Sequence, residues 1–217
     1  MQPTLLIAAH GTASSAGLAT IRDLTDAVAA ARPGLTVELC FLDVLEPGLA
    51  AVLDSLDTDV VVVPLLLSAG YHVTADIPRL VDGRDRVRVA RHLGPDPLIV
   101  HAIADRVREV ADEPATTVLA SVFSSRSSAN EEVEAARTLL EDELGRPVAP
   151  LPLTGELEEA LDELPAPVVV APYLLAEGTF HEALIAALDG RGAVAAPLGV
   201  HPNVVALVLD RFDEAVR

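Results

Sequence analysis

Two histidines and an aspartate each come shortly after an apolar run in the first half of the chain, at His10, Asp43 and His72. Neutral imidazole nitrogen and carboxylate oxygen together suit borderline divalent ions such as Fe, Co, Ni or Zn, and they leave coordination positions open. Histidine also titrates near neutral pH, so the same side chain can accept a proton from a second reactant. A single residue of this kind is more typical of a helix cap or a turn, but the three together predict a site that binds a metal and accepts protons.

The apolar runs before these residues have the character of parallel strands that are buried on both faces. They cover residues 4–9, 36–42 and 60–67. Amphipathic helices are predicted between and after them, over 15–32, 48–56 and 96–110. Ligands of an open parallel sheet bind at the carboxyl ends of its strands, so the three side chains are expected to meet at one rim if the strand order allows it.

The second half of the chain repeats the first. The segment VVPLLLSAG at residues 62–70 matches VAPYLLAEG at residues 170–178, and a helical pattern follows each. Further on, LGPDP at 93–97 matches LGVHP at 198–202. The two matches occur in the same order at offsets of 108 and 105 residues, which indicates a tandem duplication with its join near residues 111–115.

The predicted fold is therefore α/β, built from two tandem-duplicated, doubly wound parallel-sheet lobes that face each other across a cleft. Residues 1–113 are expected to form the N-terminal lobe with the metal site, and residues 114–217 the C-terminal lobe. Aligned by the repeat, the three metal-binding positions of the first lobe fall on Phe123, near Thr154 and on Phe180. Apolar side chains cannot bind a metal, so the site of the second lobe is predicted to be degenerate.

Phe123 and Phe180 are predicted to give a flat apolar wall for a ring-shaped ligand, with core packing as the alternative. His181, one residue beyond Phe180, is assigned a surface or capping role, and rotation into the cleft is the alternative. The histidines without clustered partners in the sequence are predicted to be structural, namely His92, His101 and His201.

Acidic residues strongly outnumber basic ones: the formal net charge is −18, and all 15 basic residues are arginine. Nucleic acid is not expected as a partner, because phosphate neutralisation requires a basic surface. Without lysine the chain has no Gly-x-x-x-x-Gly-Lys-Ser/Thr loop, so no nucleotide is expected either. Residues 1–113 hold 9 arginines against 16 acidic residues and the rest hold 6 against 17, so an anionic ligand needs local arginines to offset the negative field.

Five of the arginines fall within thirteen positions, at Arg79, Arg84, Arg86, Arg88 and Arg91. The guanidinium group binds carboxylate through a fixed fork of donors, so this cluster is one candidate for holding an acidic ligand. Arg126, after the fifth predicted strand, is another. The alternative for the cluster is a solvated strand and loop whose charge is balanced by neighbouring aspartates.

The amino-terminal segment lacks the basic start, long apolar run and small-residue cleavage site of a signal peptide, and no apolar run approaches the length of a membrane span. A cytoplasmic location without a membrane partner is expected. The single cysteine, Cys40, lies in an apolar run and is predicted to be a buried, unreactive thiol.

Three segments resemble the class II sirohydrochlorin chelatases, which insert cobalt or ferrous iron into a tetrapyrrole in cobalamin and siroheme synthesis. They are LLIAAHGT at residues 5–12, FLDVLEP at 41–47 and PLLLSAGYHVTADIP at 64–78, of which the third is the most specific. The duplicated plan extends the resemblance over essentially the whole chain. The resemblance implies an ATP-independent chelatase, a lyase, with two substrates: a divalent metal, Fe²⁺ or Co²⁺, and the tetrapyrrole.

By this resemblance His10 and His72 are the catalytic, metal-binding and proton-accepting residues, and Asp43 stands where the family usually has glutamate. Contacts to the tetrapyrrole are expected from the strand ends and from the apolar wall, namely from Gly11, Ser68, Ala69, Gly70, Tyr71, Phe123 and Phe180. A monomer or a homodimer is expected. Two alternatives stay open: a chelatase for another metal such as Ni²⁺, and a non-catalytic carrier of metal or tetrapyrrole.

Two departures from the family's pattern affect the predicted site. Aspartate at residue 43 is one methylene shorter than glutamate, which weakens direct metal binding or requires a bridging water. The family often follows its first His-Gly pair with Ser-Arg, whereas this chain has Thr12 and Ala13, so a substrate contact by that arginine is absent or supplied elsewhere. Asp76 is interpreted as a carboxylate at a helix N-terminus rather than as a metal ligand.

Overall fold

The computed structural model describes residues 2–111, 116–153 and 157–217. The predicted join of the repeat falls largely on residues 112–115, so the boundary between residues 113 and 114 lies outside the described residues and stays a prediction. Thr154, the predicted counterpart of Asp43, also lies outside them.

Strands and helices alternate along both halves. The first half contains β1 (Thr4–Ala9), α1 (Ser15–Ala31), β2 (Val37–Phe41), α2 (Leu49–Ser55), β3 (Val60–Leu65), a π-helical turn (His72–Asp76), α3 (Ile77–Val81), β4 (Val87–Val89) and α4 (Pro97–Val110). The second half contains β5 (Thr116–Ser121), α5 (Ser127–Leu144), β6 (Val148–Pro152), α6 (Leu157–Asp162), β7 (Val168–Pro172), α7 (Thr179–Leu188), β8 (Gly192–Val194) and α8 (Pro202–Val216).

The helix boundaries follow from capping chemistry. Ser14 precedes α1 and its hydroxyl accepts a hydrogen bond from the Gly17 amide. Asp96 caps α4 in the same way, and Pro97 occupies the first helical position, where no amide donor is needed. The third strand ends two residues earlier than predicted, because the carbonyl groups of Leu66 and Leu67 bond outside the sheet.

Each half forms one parallel four-stranded sheet, in the order β2-β1-β3-β4 in the first half and β6-β5-β7-β8 in the second. The predicted pair of doubly wound parallel-sheet lobes is confirmed. In the first sheet β1 lies between β2 and β3, so the loops that follow these three strands are neighbours at the carboxyl edge. The chain reverses its winding direction between β1 and β3, where ligands of such sheets usually bind.

The two sheets share a single apolar core. It joins residues of both halves, for example Ile7 of β1, Leu119 of β5 and Phe212 of α8, all at most 1% exposed. Two smaller apolar clusters lie outside this core, and each covers the outer face of one sheet. The last helix of each half crosses over: α4 packs against β7, and α8 packs against β3. The sheets are therefore held together by helices that each belong, in sequence, to the opposite half.

A buried ion pair fastens one of these crossing helices. Arg211 of α8 is 3% exposed, and its guanidinium lies 2.7 Å from the Asp96 carboxylate that caps α4. Its Nε also donates to the carbonyl oxygen of His92. A buried charge is tolerated only when it is paired and hydrogen-bonded, and here both conditions are met across the two halves.

Within the described ranges, none of the helices is both long enough and apolar enough to cross a membrane.

The cysteine prediction is confirmed, since Cys40 of β2 is fully buried. Burial raises the pKa of its thiol to about 12, so the reactive thiolate is scarce at pH 8. We expect an aromatic disulfide reagent at pH 8 to leave the folded protein unmodified and to label one thiol per chain in denaturant. Stoichiometric labelling of the folded protein would show that β2 opens readily, contrary to this burial.

Candidate metal centre

The structure brings together the three residues singled out as metal ligands. One potential ligand atom from each of His10, Asp43 and His72 lies within 4.8 Å of the other two. The imidazole rings of the two histidines are 4.7 Å apart between centroids and nearly perpendicular, at 86°. Metal–nitrogen and metal–oxygen bonds are about 2.0–2.2 Å, so one divalent ion would draw these atoms slightly closer. The arrangement results from the strand order, which places the three strand ends side by side.

The backbone fixes the spacing between His10 and Asp43. The Asp43 amide donates to the His10 carbonyl at 3.0 Å, which continues the β1–β2 pairing beyond both strands. Gly11 has a φ of +98°, and a Cβ at this position would overlap the Asp43 carbonyl oxygen. Only glycine satisfies both conditions, so its role here is close backbone approach. The Asp43 carboxylate accepts from the amide of Val44, whose φ of 66° is unusual for a β-branched residue.

Nδ1 of each histidine has a hydrogen-bond partner, whereas Nε2 of neither one has a partner among the described residues. Nδ1 of His10 lies 3.1 Å from the Gly11 carbonyl oxygen, and Nδ1 of His72 lies 2.8 Å from an oxygen of the Asp76 carboxylate. These oxygens accept the Nδ1 proton, which leaves Nε2 of each ring with a lone pair that is able to bind a metal or accept a proton.

Asp76 therefore has a different role from the one interpreted in the sequence. It stands at the start of α3 but its side chain makes no capping hydrogen bond. The π-helical turn His72–Asp76 instead places its carboxylate beside the imidazole four residues earlier. A carboxylate on the far nitrogen of a metal-binding histidine fixes the ring and makes it a stronger ligand.

Removing this carboxylate is expected to weaken metal binding. Asp76→Ala should lower the affinity for Co²⁺ about 10–100-fold, with Asp76→Asn in between because the amide oxygen still accepts a hydrogen bond. The visible absorption of Co²⁺ titrated into the purified protein measures the affinity. Asp82→Asn, an exposed aspartate at the end of α3, is the matched control. Equal affinities for Asp76→Ala and wild type would show that the turn alone positions His72.

A cavity of about 560 Å³ opens in front of His10 and His72. Five of its lining residues are among the predicted contact and catalytic residues of the first lobe: His10, Gly11, Ser68, Gly70 and His72. Phe123, Phe180 and His181 line it from the second lobe. The cavity is thus the predicted cleft between the lobes. Asp43, Ala69 and Tyr71 are the predicted site residues that lie outside its lining.

Ala69 supports the loop rather than facing the cavity. Its amide donates at 2.6 Å to the carboxylate of Glu132 on α5, which also lies 3.1 Å from Nε2 of the buried His92. Nearby, the Tyr173 hydroxyl donates to the Leu67 carbonyl at 3.0 Å. Two side chains of the second lobe therefore hold the segment that leads to His72. No sequence pattern indicated Glu132, which lies in an acid-rich helix, and only a weak one indicated Tyr173, a polar group in an apolar run.

The repeat register needs one correction. The Leu42 amide bonds to the Ala9 carbonyl, and the equivalent bond in the second lobe joins Leu153 to Ser121. Ser121 therefore corresponds to Ala9 in the repeat, and the counterpart of His10 is Val122, not Phe123. The predicted register was shifted by one residue because the sequence matches that defined the repeat lie at 62–70 and 93–97, far from the first strand of the half. An apolar residue occupies the position in either register, so the conclusion that it cannot bind metal is unchanged.

The two phenylalanines lie at the cleft and not in the core. Phe123 is 66% exposed and Phe180 is 47% exposed, and both line the cavity. The core-packing alternative is therefore wrong. An exposed aromatic surface of this kind usually marks a binding site.

The other histidines have individual structural partners. His181 reaches the cavity wall, but its Nε2 bonds to the Ala195 carbonyl at 3.2 Å. His92 lies against Glu132, and His101 lies 3.2 Å from Glu143. His201 caps α8 by accepting from the Asn203 amide. Of the described histidines, only His10 and His72 belong to the metal cluster.

The arginine cluster of the first half is engaged elsewhere. Arg84 pairs with Asp54, while Arg86 and Arg88 donate to backbone carbonyls at the amino ends of the strands and at the end of α8. Arg79 contacts Asp76, and Arg91 donates to the Pro95 carbonyl. None of the five is among the described residues that line the cleft.

Fold and site together define a two-lobed α/β protein with a cluster of two histidines and one carboxylate, spaced as metal ligands, beside the interlobe cleft. The sirohydrochlorin chelatase SirB of Bacillus subtilis subspecies spizizenii, in complex with cobalt, has the same fold, with a TM-score of 0.82, 24% identity, and 99% of this chain and 95% of that chain covered. SirB of Bacillus subtilis with Fe³⁺ gives a TM-score of 0.80 at 24% identity, covering 99% and 96%. CbiX, described as the terminal enzyme for biosynthesis of siroheme in denitrifying bacteria, gives 0.73 at 22%, covering 99% and 100%.

These likenesses, all at low identity, establish the fold. The model of the CbiX family matches residues 4–110 and 124–215, so this chain belongs to the CbiX family. Comparison with curated proteins gives no significant match.

Proposed function

We propose that this protein is a sirohydrochlorin chelatase that inserts Fe²⁺ or Co²⁺ into the macrocycle without a nucleotide. One observation carries the proposal. The imidazoles of His10 and His72, whose Nε2 atoms have no partner among the described residues, form one cluster with the Asp43 carboxylate beside an apolar cleft. One cluster of side chains meets both needs of the reaction, because it can bind a divalent ion and accept protons. Membership of the CbiX family supports the same function.

In this proposal the macrocycle lies in the cleft with one face toward Phe123 and Phe180. Its pyrrole nitrogens face His10 and His72 on the opposite wall. The metal is bound by the imidazoles, with Asp43 as a direct or water-bridged ligand, and passes to the ring as two pyrrole N–H protons leave. The imidazoles accept these protons and release them to solvent. Holding ring, metal and base in one place lowers the barrier without any covalent intermediate.

The reaction type assigns the protein to the lyases, as a metal chelatase of siroheme or cobalamin biosynthesis. We further propose a cytoplasmic location. We also propose a monomeric or homodimeric state, since the shared core already buries the inner faces of both sheets.

An anaerobic insertion assay tests the function. Purified protein, sirohydrochlorin and Fe²⁺, Co²⁺ or Ni²⁺ are mixed, and the absorption change of the ring is followed against a protein-free control. We expect acceleration with Fe²⁺ or Co²⁺, and the ratio of the rates identifies the preferred metal. Tight binding of ring or metal without acceleration would instead identify a carrier, and preference for Ni²⁺ would identify a different chelatase.

A further inference from the structure

Arg126 differs from most arginines of this acidic chain. The majority bond to a carboxylate or to a backbone carbonyl, as Arg32, Arg137 and Arg191 do. Arg126 is exposed, and none of the described carboxylates lies within ion-pair distance of it. The contact its guanidinium does make is with the ring of Tyr71, whose centroid is 5.5 Å away.

The position of Arg126 connects it to the metal centre. Tyr71 belongs to the first lobe and lies next to His72, with 6.4 Å between the ring centroids. Arg126 belongs to the second lobe, in the loop between β5 and α5. Its side chain therefore reaches across to the first lobe, where Tyr71 contacts the ring of His72 and His72 contacts the ring of His10.

The loop that carries Arg126 also carries the apolar wall. Val122 and Phe123 come from the same segment and line the cavity. In the first lobe the equivalent loop carries His10. The duplicated loop thus presents a metal ligand in one lobe, and an apolar surface followed by a positive charge in the other. An apolar surface with a cation at its edge suits a flat ring that carries carboxylates on its periphery.

We propose that Arg126 binds a peripheral carboxylate of the macrocycle, and that Tyr71 holds its guanidinium at the cleft mouth until the macrocycle arrives. This inference rests on the proposed function. A carboxylate forms two parallel charge-assisted hydrogen bonds with a guanidinium, whereas an exposed aromatic ring attracts it only weakly. The carboxylate of the macrocycle therefore replaces the Tyr71 ring as the partner of Arg126. Arg126 also supplies local positive charge where the overall field repels an anion.

Binding of metal-free rings to the full-length protein tests the inference apart from catalysis. Sirohydrochlorin and uroporphyrin, a second polycarboxylate ring, are each titrated and followed by absorbance. Arg126→Gln is expected to raise the Kd of both roughly tenfold, which is the usual scale for a hydrogen-bonded charge. Arg126→Lys should recover only part of the loss, because lysine keeps the charge but not the fork. Arg86→Gln is the control and should change Kd less than twofold. Arg86 is an exposed arginine at the amino ends of the strands of the first sheet, away from the cleft.

The outcomes separate the two proposals. Weaker ring binding in Arg126→Gln supports the inference even if wild type inserts no metal, in which case the chelatase function fails alone. Equal Kd values for Arg126→Gln and wild type overturn the inference, whatever the insertion rate. Equal weakening in Arg126→Gln and Arg86→Gln also overturns it, because only net charge would then matter. Failure of wild type to bind either ring overturns both proposals.

Discussion

Replacing His72 by alanine is expected to lower kcat for metal insertion roughly 10²–10⁴-fold, which is the range for loss of a positioned proton acceptor. His10→Ala should have an effect of the same order, since each ring presents a free Nε2 to the same cavity. Steady-state rates with saturating sirohydrochlorin and metal measure kcat. Ring binding without metal should change little, because the apolar wall and Arg126 are intact.

The histidine variants should fold normally. His10 is exposed and the side chain of His72 is 22% exposed, so neither belongs to the core. Circular dichroism and the melting temperature check this. His101→Ala, which removes an exposed histidine on α4 paired with Glu143, is the matched control and should keep the wild-type rate. A full rate in His10→Ala or His72→Ala would remove that residue from the mechanism.

Replacing Arg211 by leucine is expected to lower the free energy of unfolding by about 3–5 kcal/mol. The substitution leaves the Asp96 carboxylate, 16% exposed, without its cation and leaves the His92 carbonyl without a donor. Urea denaturation followed by circular dichroism measures the change. The midpoint should fall while the metal ligands remain in place in the folded fraction.

Two variants isolate the ion pair as the cause. Arg22→Leu removes an exposed arginine of α1 and should change stability by less than about 0.5 kcal/mol. Adding Asp96→Asn to Arg211→Leu removes the unpaired charge and keeps a capping group for α4, so part of the lost stability should return. Arg211→Leu with wild-type stability would show that solvent reaches the Asp96 carboxylate.

Sequence patterns predicted the strands and helices, because these depend on local periodicity. Buried strands and amphipathic helices predicted the two doubly wound lobes. The rule that ligands bind at strand ends brought His10, Asp43 and His72 to one rim, because the strand order β2-β1-β3 makes the three loops neighbours.

What the sequence did not predict depends on contacts between distant segments. Asp76 resembles a helix-terminal residue until the π-helical turn places its carboxylate beside His72. Glu132 is one acidic residue among many on α5, and only the packing of the two lobes brings it to the Ala69 amide. The one-residue error in the repeat register arose in a stretch where Thr4 and Ala8 match Thr116 and Ala120, which is too little identity to determine an alignment.

The core that both sheets share limits how far the two lobes can separate. Spreading the lobes apart would expose its apolar residues, for example Ile7 and Leu119, to water. The helices α4 and α8 each pack against the sheet of the opposite half, so each would move with that sheet. For the proposed function we therefore expect a flat ring to enter the cleft by its edge, without wide opening of the lobes.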